Sequence, residues 1–283
     1  MSAPRIGLAL SGGGARGFAH LSVMEALDDL GIVPSHVAGT SIGAVIGAPY
    51  CAGMTANEIR REILDIFRSR TEVVSRLMRA QNKRLGGVLR PSLSNPLQID
   101  AERLLSAFLP DTIPEEFAAL KVPFTAVAAD FYGSDPVNFE TGPLRPAIAA
   151  SMAIPAIFRP VVFDGRILVD GGIVDPLPTE ALAHRAEIVV AVDVIKGPRG
   201  EPGKVPNPLE TILGSTQLMM QTIVQGRVAN RPPDILLRPN IRTFRILDFF
   251  KARAILKAAE PTREEAKREI AKAIERYEKR RNR

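Results

Sequence analysis

A chain of 283 residues, 46% apolar and 24% charged, can bury the core of one α/β domain with helical appendages and is too apolar to be disordered. Its single cysteine, Cys51, excludes an internal disulfide and any multi-cysteine metal site, and no apolar run approaches the ~20 residues that cross a bilayer. The net charge of +6 is concentrated at residues 58–90 (+5) and 261–283 (+4), which suits contact with an anionic lipid surface, while 5% aromatics and no Trp exclude the stacking chemistry of single-strand nucleic-acid binders.

The chain runs almost at once into Ile6-Gly7-Leu8-Ala9-Leu10, leaving no room for a signal peptide, so a cytoplasmic product is expected. Those five residues predict a buried first strand, ended by Ser11 and three glycines. Phe18, Leu21, Met24 and Leu27 then predict a helix over 16–30. His36-Val37-Ala38 predicts a second strand, followed by Gly39-Thr40-Ser41-Ile42-Gly43 and a helix of small residues through Tyr50. Thr55 and Glu58 form a capping box for a helix to about Phe67. Residues 68–99, with mixed periodicity and clusters of Gly, Pro, Ser and Asn, predict a flap, and 101–109 a helix. Apolar runs at 122–129 and 188–194, leading to Asp130 and Asp193, predict central parallel strands, and Asp164-Gly165 between them signals a hairpin.

A Gly/Pro-rich loop at 196–208 leads into a helix to Ala229 and a short strand at 234–238. The tail reads as an amphipathic helix with a Thr262/Glu265 capping box and Ala266, Ile270, Ala273 and Tyr277 on one face. Residues 1–240 are expected to form the catalytic domain, with 241–283 a helical extension. Strands alternating with helices imply a mainly parallel sheet covered on both faces, with ligands at the carboxyl ends of the strands.

Three motifs carry chemistry. Gly39-Thr40-Ser41-Ile42-Gly43 is a G-x-S-x-G elbow at a predicted strand-to-helix turn, where Ser41 is a candidate nucleophile. Ser11-Gly12-Gly13-Gly14-Ala15-Arg16-Gly17 also fits a dinucleotide fingerprint, yet the next strand ends in Gly39-Thr40-Ser41 rather than an acid, and no Lys-Ser/Thr follows the glycines. The chemical reading that survives is an oxyanion hole of glycine amides, with Arg16 reinforcing its field, holding an acidic headgroup or forming a structural salt bridge. Asp170-Gly171-Gly172 places a carboxylate at a strand end, with Asp130 and Asp193 as rivals. His36 and His184 fall near the amino ends of strands and His20 inside a helix, so the base is expected to be a carboxylate.

Gly12-Gly13-Gly14-Ala15-Arg16-Gly17, Gly39-Thr40-Ser41-Ile42-Gly43, Ala150-Ser151-Met152-Ala153-Ile154-Pro155-Ala156-Ile157-Phe158 and Asp170-Gly171-Gly172, in this order over residues 6–194, resemble the bacterial patatin-like phospholipases, relatives of plant patatin and of the catalytic domain of neuropathy target esterase. The resemblance implies a three-layer α/β/α fold with a mainly parallel central sheet. It implies a serine lipid acyl hydrolase of phospholipase A, lysophospholipase or carboxylesterase type, with Ser41 as nucleophile, Asp170 as base, and Gly12, Gly13 and Gly14 as oxyanion hole. Arg16, Gly17, Gly39, Gly43, Gly171 and Gly172 would support them. No cofactor or metal is expected, and the implied partners are phospholipid, lysophospholipid or acyl-ester substrates and the surface of an anionic membrane, not nucleic acid. The rival from another class is a lipid-sensing module with weak esterase activity, and a nucleotide-binding enzyme is the third reading.

Overall fold

The computed structural model describes residues 3–83, 99–200, 203 and 205–282. Two fully buried apolar segments, β1 (Ile6–Leu10) and β2 (His36–Thr40), lie at the middle of its sheet. The remaining strands are β3 (Phe124–Asp130), β4 (Pro136–Phe139), β5 (Val161–Phe163), β6 (Arg166–Asp170), β7 (Ile188–Val192) and β8 (Ile235–Leu237). Their order is β5-β6-β3-β2-β1-β7-β8, with β4 pairing β3 off this path.

Pairing is parallel from β3 through β2, β1 and β7 to β8, and antiparallel for β3 with β4 and β6 and for β5 with β6. The run at 122–129 is thus parallel on one side only. β3 marks the change of direction, because both β4 and the β5–β6 hairpin at Asp164-Gly165 return against it.

The helices are α1 (His20–Asp29), α2 (Ile42–Cys51), α3 (Ala56–Ile66), α4 (Arg70–Lys83), α5 (Ala101–Phe108), α6 (Leu144–Ser151), α7 (Pro208–Asn230), α8 (Ala252–Ala259) and α9 (Pro261–Arg281). Alternation along the strands sends residues to two cores. Leu8, Leu10 and Val37 pack with α1, α2, α3, α5, α6, α8 and α9, while Ala9, Ala38 and Ala191 meet Met220 and Val224 of α7. Small residues on the second face let α7 lie close to the sheet.

The Thr55–Glu58 capping box forms at the start of α3. Two expectations need correction. The helix predicted over 16–30 divides into a 3-10 turn, Gly14–Ala19, and α1. There is no Thr262/Glu265 cap: Glu260 enters α9 in helical conformation, Pro261 takes its first turn, and Thr262 is buried inside it. Helix α8 lies within the helical extension expected over 241–283. Within the 68–99 flap, 70–83 is helical and 84–98 lies outside the described residues.

Residues 241–283 share the first core through Ile241, Ile255, Leu256 and Ile270, and Arg263 and Lys267 of α9 hold Asp29 of α1 at 2.6 and 2.5 Å. Among the described residues no helix is long and apolar enough to cross a membrane. Ending the chain at Asn240 would strip the buried face from α1 and should abolish its sharp unfolding transition in calorimetry. A transition near that of the full chain would show that the extension stands apart.

Candidate active site

Ser41 joins β2 to α2 with φ 57° and ψ −122°. Such a backbone costs a non-glycine residue of order 1–3 kcal/mol and persists only where its surroundings hold it. The elbow is held on every side. A Cβ on Gly39 would lie 2.5 Å from Gly43 O, and one on Gly43 would overlap Leu10 O, so only glycine fits at either position. The Ser41 N–H donates to Ser151 Oγ at 2.9 Å, and the Ser151 hydroxyl donates to Val127 O at 2.6 Å. Thr40 Oγ1 donates to Asp175 O at 2.8 Å.

Asp170 ends β6, which β3 places beside the elbow through the register Ala128 to Asp170. Its Oδ2 accepts the Ser41 hydroxyl at 2.6 Å and its Oδ1 accepts the Gly172 N–H at 2.7 Å. Burial pushes the carboxyl up to about 6, against the pull of those two hydrogen bonds. A Cβ on Gly171 would overlap Val127 O, and one on Gly172 would lie 2.7 Å from Met220 Cε.

The glycine loop adds donors, but not all three that were expected. The Gly12 N–H donates to Pro176 O at 3.0 Å, so this amide is already engaged by the backbone. Gly13 and Gly14 have φ 149° and 58°, and among the described residues their N–H groups meet no acceptor. Both line a small chamber of about 20 Å³ with Ser41 and Asp170, closed by Pro155, Leu213, Met220 and Ile246. A Cβ on Gly17 would overlap Ile42, so this glycine lets the 3-10 turn touch the first turn of α2.

Arg16 is fully buried and does not reach the chamber's reacting groups. Its Nε donates to Phe244 O at 2.9 Å and its Nη1 to Lys196 O at 2.7 Å, and it forms no salt bridge among the described residues. It ties the glycine loop to two distant segments.

The rival groups are engaged elsewhere. Asp130 accepts the N–H groups of Tyr132 and Gly133, and Asp193 pairs with Arg238 at 2.9 Å. His20 Nε2 donates to Ser11 O at 2.9 Å, burial pushing its pKa down to about 4, and His36 donates to Thr125 Oγ1 at 2.7 Å. His184 is exposed, and burial pushes the Cys51 thiol up. Ser151 is the residue the sequence reading missed. It lies inside the quoted 150–158 segment, and nothing local marks it as the support of the Ser41 amide.

From Ser41 a second, apolar cavity of about 340 Å³ runs along one face of α2, past Ile42, Val45, Ile46 and Pro49. Phe67 in its wall meets the rings of Phe18, Phe108, Phe249 and Phe250 at 5.5, 5.9, 5.6 and 6.0 Å.

The patatin-like phospholipase family profile matches residues 8–183. An NTE family protein of Mycobacterium tuberculosis is 37% identical over 208 residues, 73% of this chain and 53% of that protein. Lysophospholipase NTE1 of Mycosarcoma maydis is 34% identical over 190 residues, 67% of this chain and 10% of that protein. The chain therefore spans about half the length, or less, of these relatives. VipD from Legionella pneumophila shares the fold, with a TM-score of 0.50, 15% identity, and coverage of 94% of this chain and 67% of that one.

Because Asp170 binds its proton more tightly folded, at about 6, than at its ordinary 3.8, its stabilising contribution is full below the ordinary value and is lost as pH rises through about 6. Asn at 170 lacks this titration. The unfolding free energy of Asp170→Asn relative to the parent should rise from about pH 4 to about pH 7 in urea denaturation. A flat or falling difference would remove the buried-acid assignment.

Proposed function

The chain belongs to the patatin-like phospholipase family, and on that premise we propose that it is a serine lipid acyl hydrolase working with Ser41 and Asp170. The observation that carries this reading is the 2.6 Å hydrogen bond from a strained, buried serine to a carboxylate that has no cationic partner among the described residues. Asp170 Oδ2 takes the hydroxyl proton as Ser41 Oγ bonds to the acyl carbonyl carbon. Negative charge then develops on the carbonyl oxygen, and the Gly13 and Gly14 amides are the free donors at hand. Collapse expels the alcohol, which leaves with the proton from Asp170, and an acyl-Ser41 ester remains. Water then gives a proton to Asp170 as it attacks that ester, and release of the fatty acid returns the proton to Ser41.

The apolar cavity is the natural place for the acyl chain, since it begins at the nucleophile and offers almost only carbon surface. Phospholipids, lysophospholipids and simple acyl esters are the proposed substrates, a lysophospholipase being among the relatives. We place the catalytic unit in residues 1–240, with 241–283 as its supporting extension. Contact with an anionic membrane is proposed as peripheral. Of the basic stretch that suggested it, Arg60 is committed to the buried Glu25 at 2.7 Å and Arg76 to Glu72 at 3.0 Å, so these two are structural first.

Ser41→Ala and Asp170→Asn should each lower hydrolysis of a soluble acyl ester by ~10⁴-fold or more, while His36→Gln and His184→Ala leave it nearly unchanged. A fluorophosphonate should label the parent at Ser41, and kcat/KM should fall below about pH 6 with the loss of one ionised group, Asp170. Full activity in Asp170→Asn would end the dyad reading. Val45→Phe, which fills the cavity one turn from Ser41, should sharply reduce hydrolysis of long-chain esters and spare acetate esters. Equal losses on both would place the acyl chain elsewhere.

A further inference from the structure

A cleft of about 770 Å³ opens where β7 and β8 end. Leu213, Gln217 and Met220 of α7 line the chamber at Ser41, whereas Gln221, Val224 and Gln225, further along the same helix, line this cleft. None of the cleft residues touches the chamber, so the site stands whether or not Ser41 is a nucleophile.

Its charge is one-sided. Lys196 and Arg199 enter from the loop after β7, Arg238 and Arg242 from the segment after β8, and among the described residues Asp193 is the one carboxylate in its lining. Asp193 is already used, accepting Arg238 Nε at 2.9 Å with one oxygen and the Ile195 N–H at 3.0 Å with the other. Neither the partly buried Lys196 ammonium nor the Arg242 guanidinium has a hydrogen bond or ion pair among the described residues. Burial, with Arg238, Arg16 and Arg242 nearby, disfavours the charged form of Lys196 against the pull of Asp193. A cation held in this way is stabilised by an anion that enters the cleft.

The cleft is also preset. Arg16 donates to Lys196 O at 2.7 Å and to Phe244 O at 2.9 Å, and Arg199 Nη1 donates to Arg242 O at 3.0 Å, so both walls are fixed relative to each other. Guanidinium forks match phosphate oxygens, and the volume exceeds what bare phosphate fills, leaving Gln221, Gln225 and Thr243 for a polar remainder. We propose that this cleft binds a phosphate ester, with Lys196 and Arg242 as its principal ligands.

The test titrates the full chain with glycerol 3-phosphate by calorimetry and with phosphatidylcholine vesicles carrying phosphatidic acid by flotation. Arg242→Gln, the pair Lys196→Gln with Arg242→Gln, and a control pair at exposed arginines elsewhere, Arg166→Gln with Arg253→Gln, are run alongside. The cleft pair should weaken binding about tenfold or more, Arg242→Gln by less, and the control pair little, with ester hydrolysis unchanged in all. That pattern with glycerol 3-phosphate identifies a soluble ester as sufficient, and the pattern with vesicles alone identifies a lipid headgroup. If neither probe binds the parent, or the control pair weakens binding as much as the cleft pair, the site is not there.

Discussion

The site depends on keeping the Asp170 carboxyl out of water while it stays hydrogen-bonded to Ser41. A buried anion is costly unless paired with a cation or supplied with donors, and here the described residues supply one hydroxyl and one amide. The consequence is a carboxyl at about 6, more basic than an ordinary one yet ionised near neutrality. On the proposed mechanism, that compromise gives a carboxylate the property for which serine hydrolases with a triad recruit histidine. It lasts only while Pro155, Leu213, Met220 and Ile246 keep the chamber closed to bulk solvent.

Close backbone packing makes the geometry possible. β2, α2 and the 3-10 turn approach so nearly that Gly17, Gly39 and Gly43 have no space for a methyl group. Between them Ser41 occupies a conformation it would not choose. Ser151 holds its amide and Asp175 holds the hydroxyl of its neighbour Thr40, so the strain is confined to one residue. Strain that surroundings over-determine in this way keeps the Ser41 hydroxyl aimed at Asp170 without a flexible search.

The end of the chain completes the site from a distance. Ile246 O accepts the Ala15 N–H at 2.8 Å, closing the glycine loop from below, and Leu247, Phe249 and Phe250 wall the apolar cavity. Arg16 secures the same region through Phe244 O. A buried cation that donates to the carbonyls of Phe244 and Lys196 thus ties the loop of Gly13 and Gly14 to two distant segments.

Much of this was readable in the amino-acid sequence because it is local. Periodicity marks β1, β2, β7 and α2, the Thr55–Glu58 spacing marks the start of α3, and Asp164-Gly165 marks a hairpin. G-x-S-x-G at a strand-to-helix turn singles out Ser41 for the same reason. Thr262 and Glu265 carry an equally good local signal and still form no cap, because α8 delivers the chain to Glu260 already helical. By itself, then, the sequence determined the alternation of elements and the serine. The resemblance pointed to Asp170 among three aspartates, but only the tertiary structure decided that it meets that serine, that Gly12 is spent on Pro176, and that Arg16 faces carbonyls. Asp170 lies 129 residues beyond Ser41, and the two meet because β6 runs antiparallel beside β3, a strand order that no local pattern encodes.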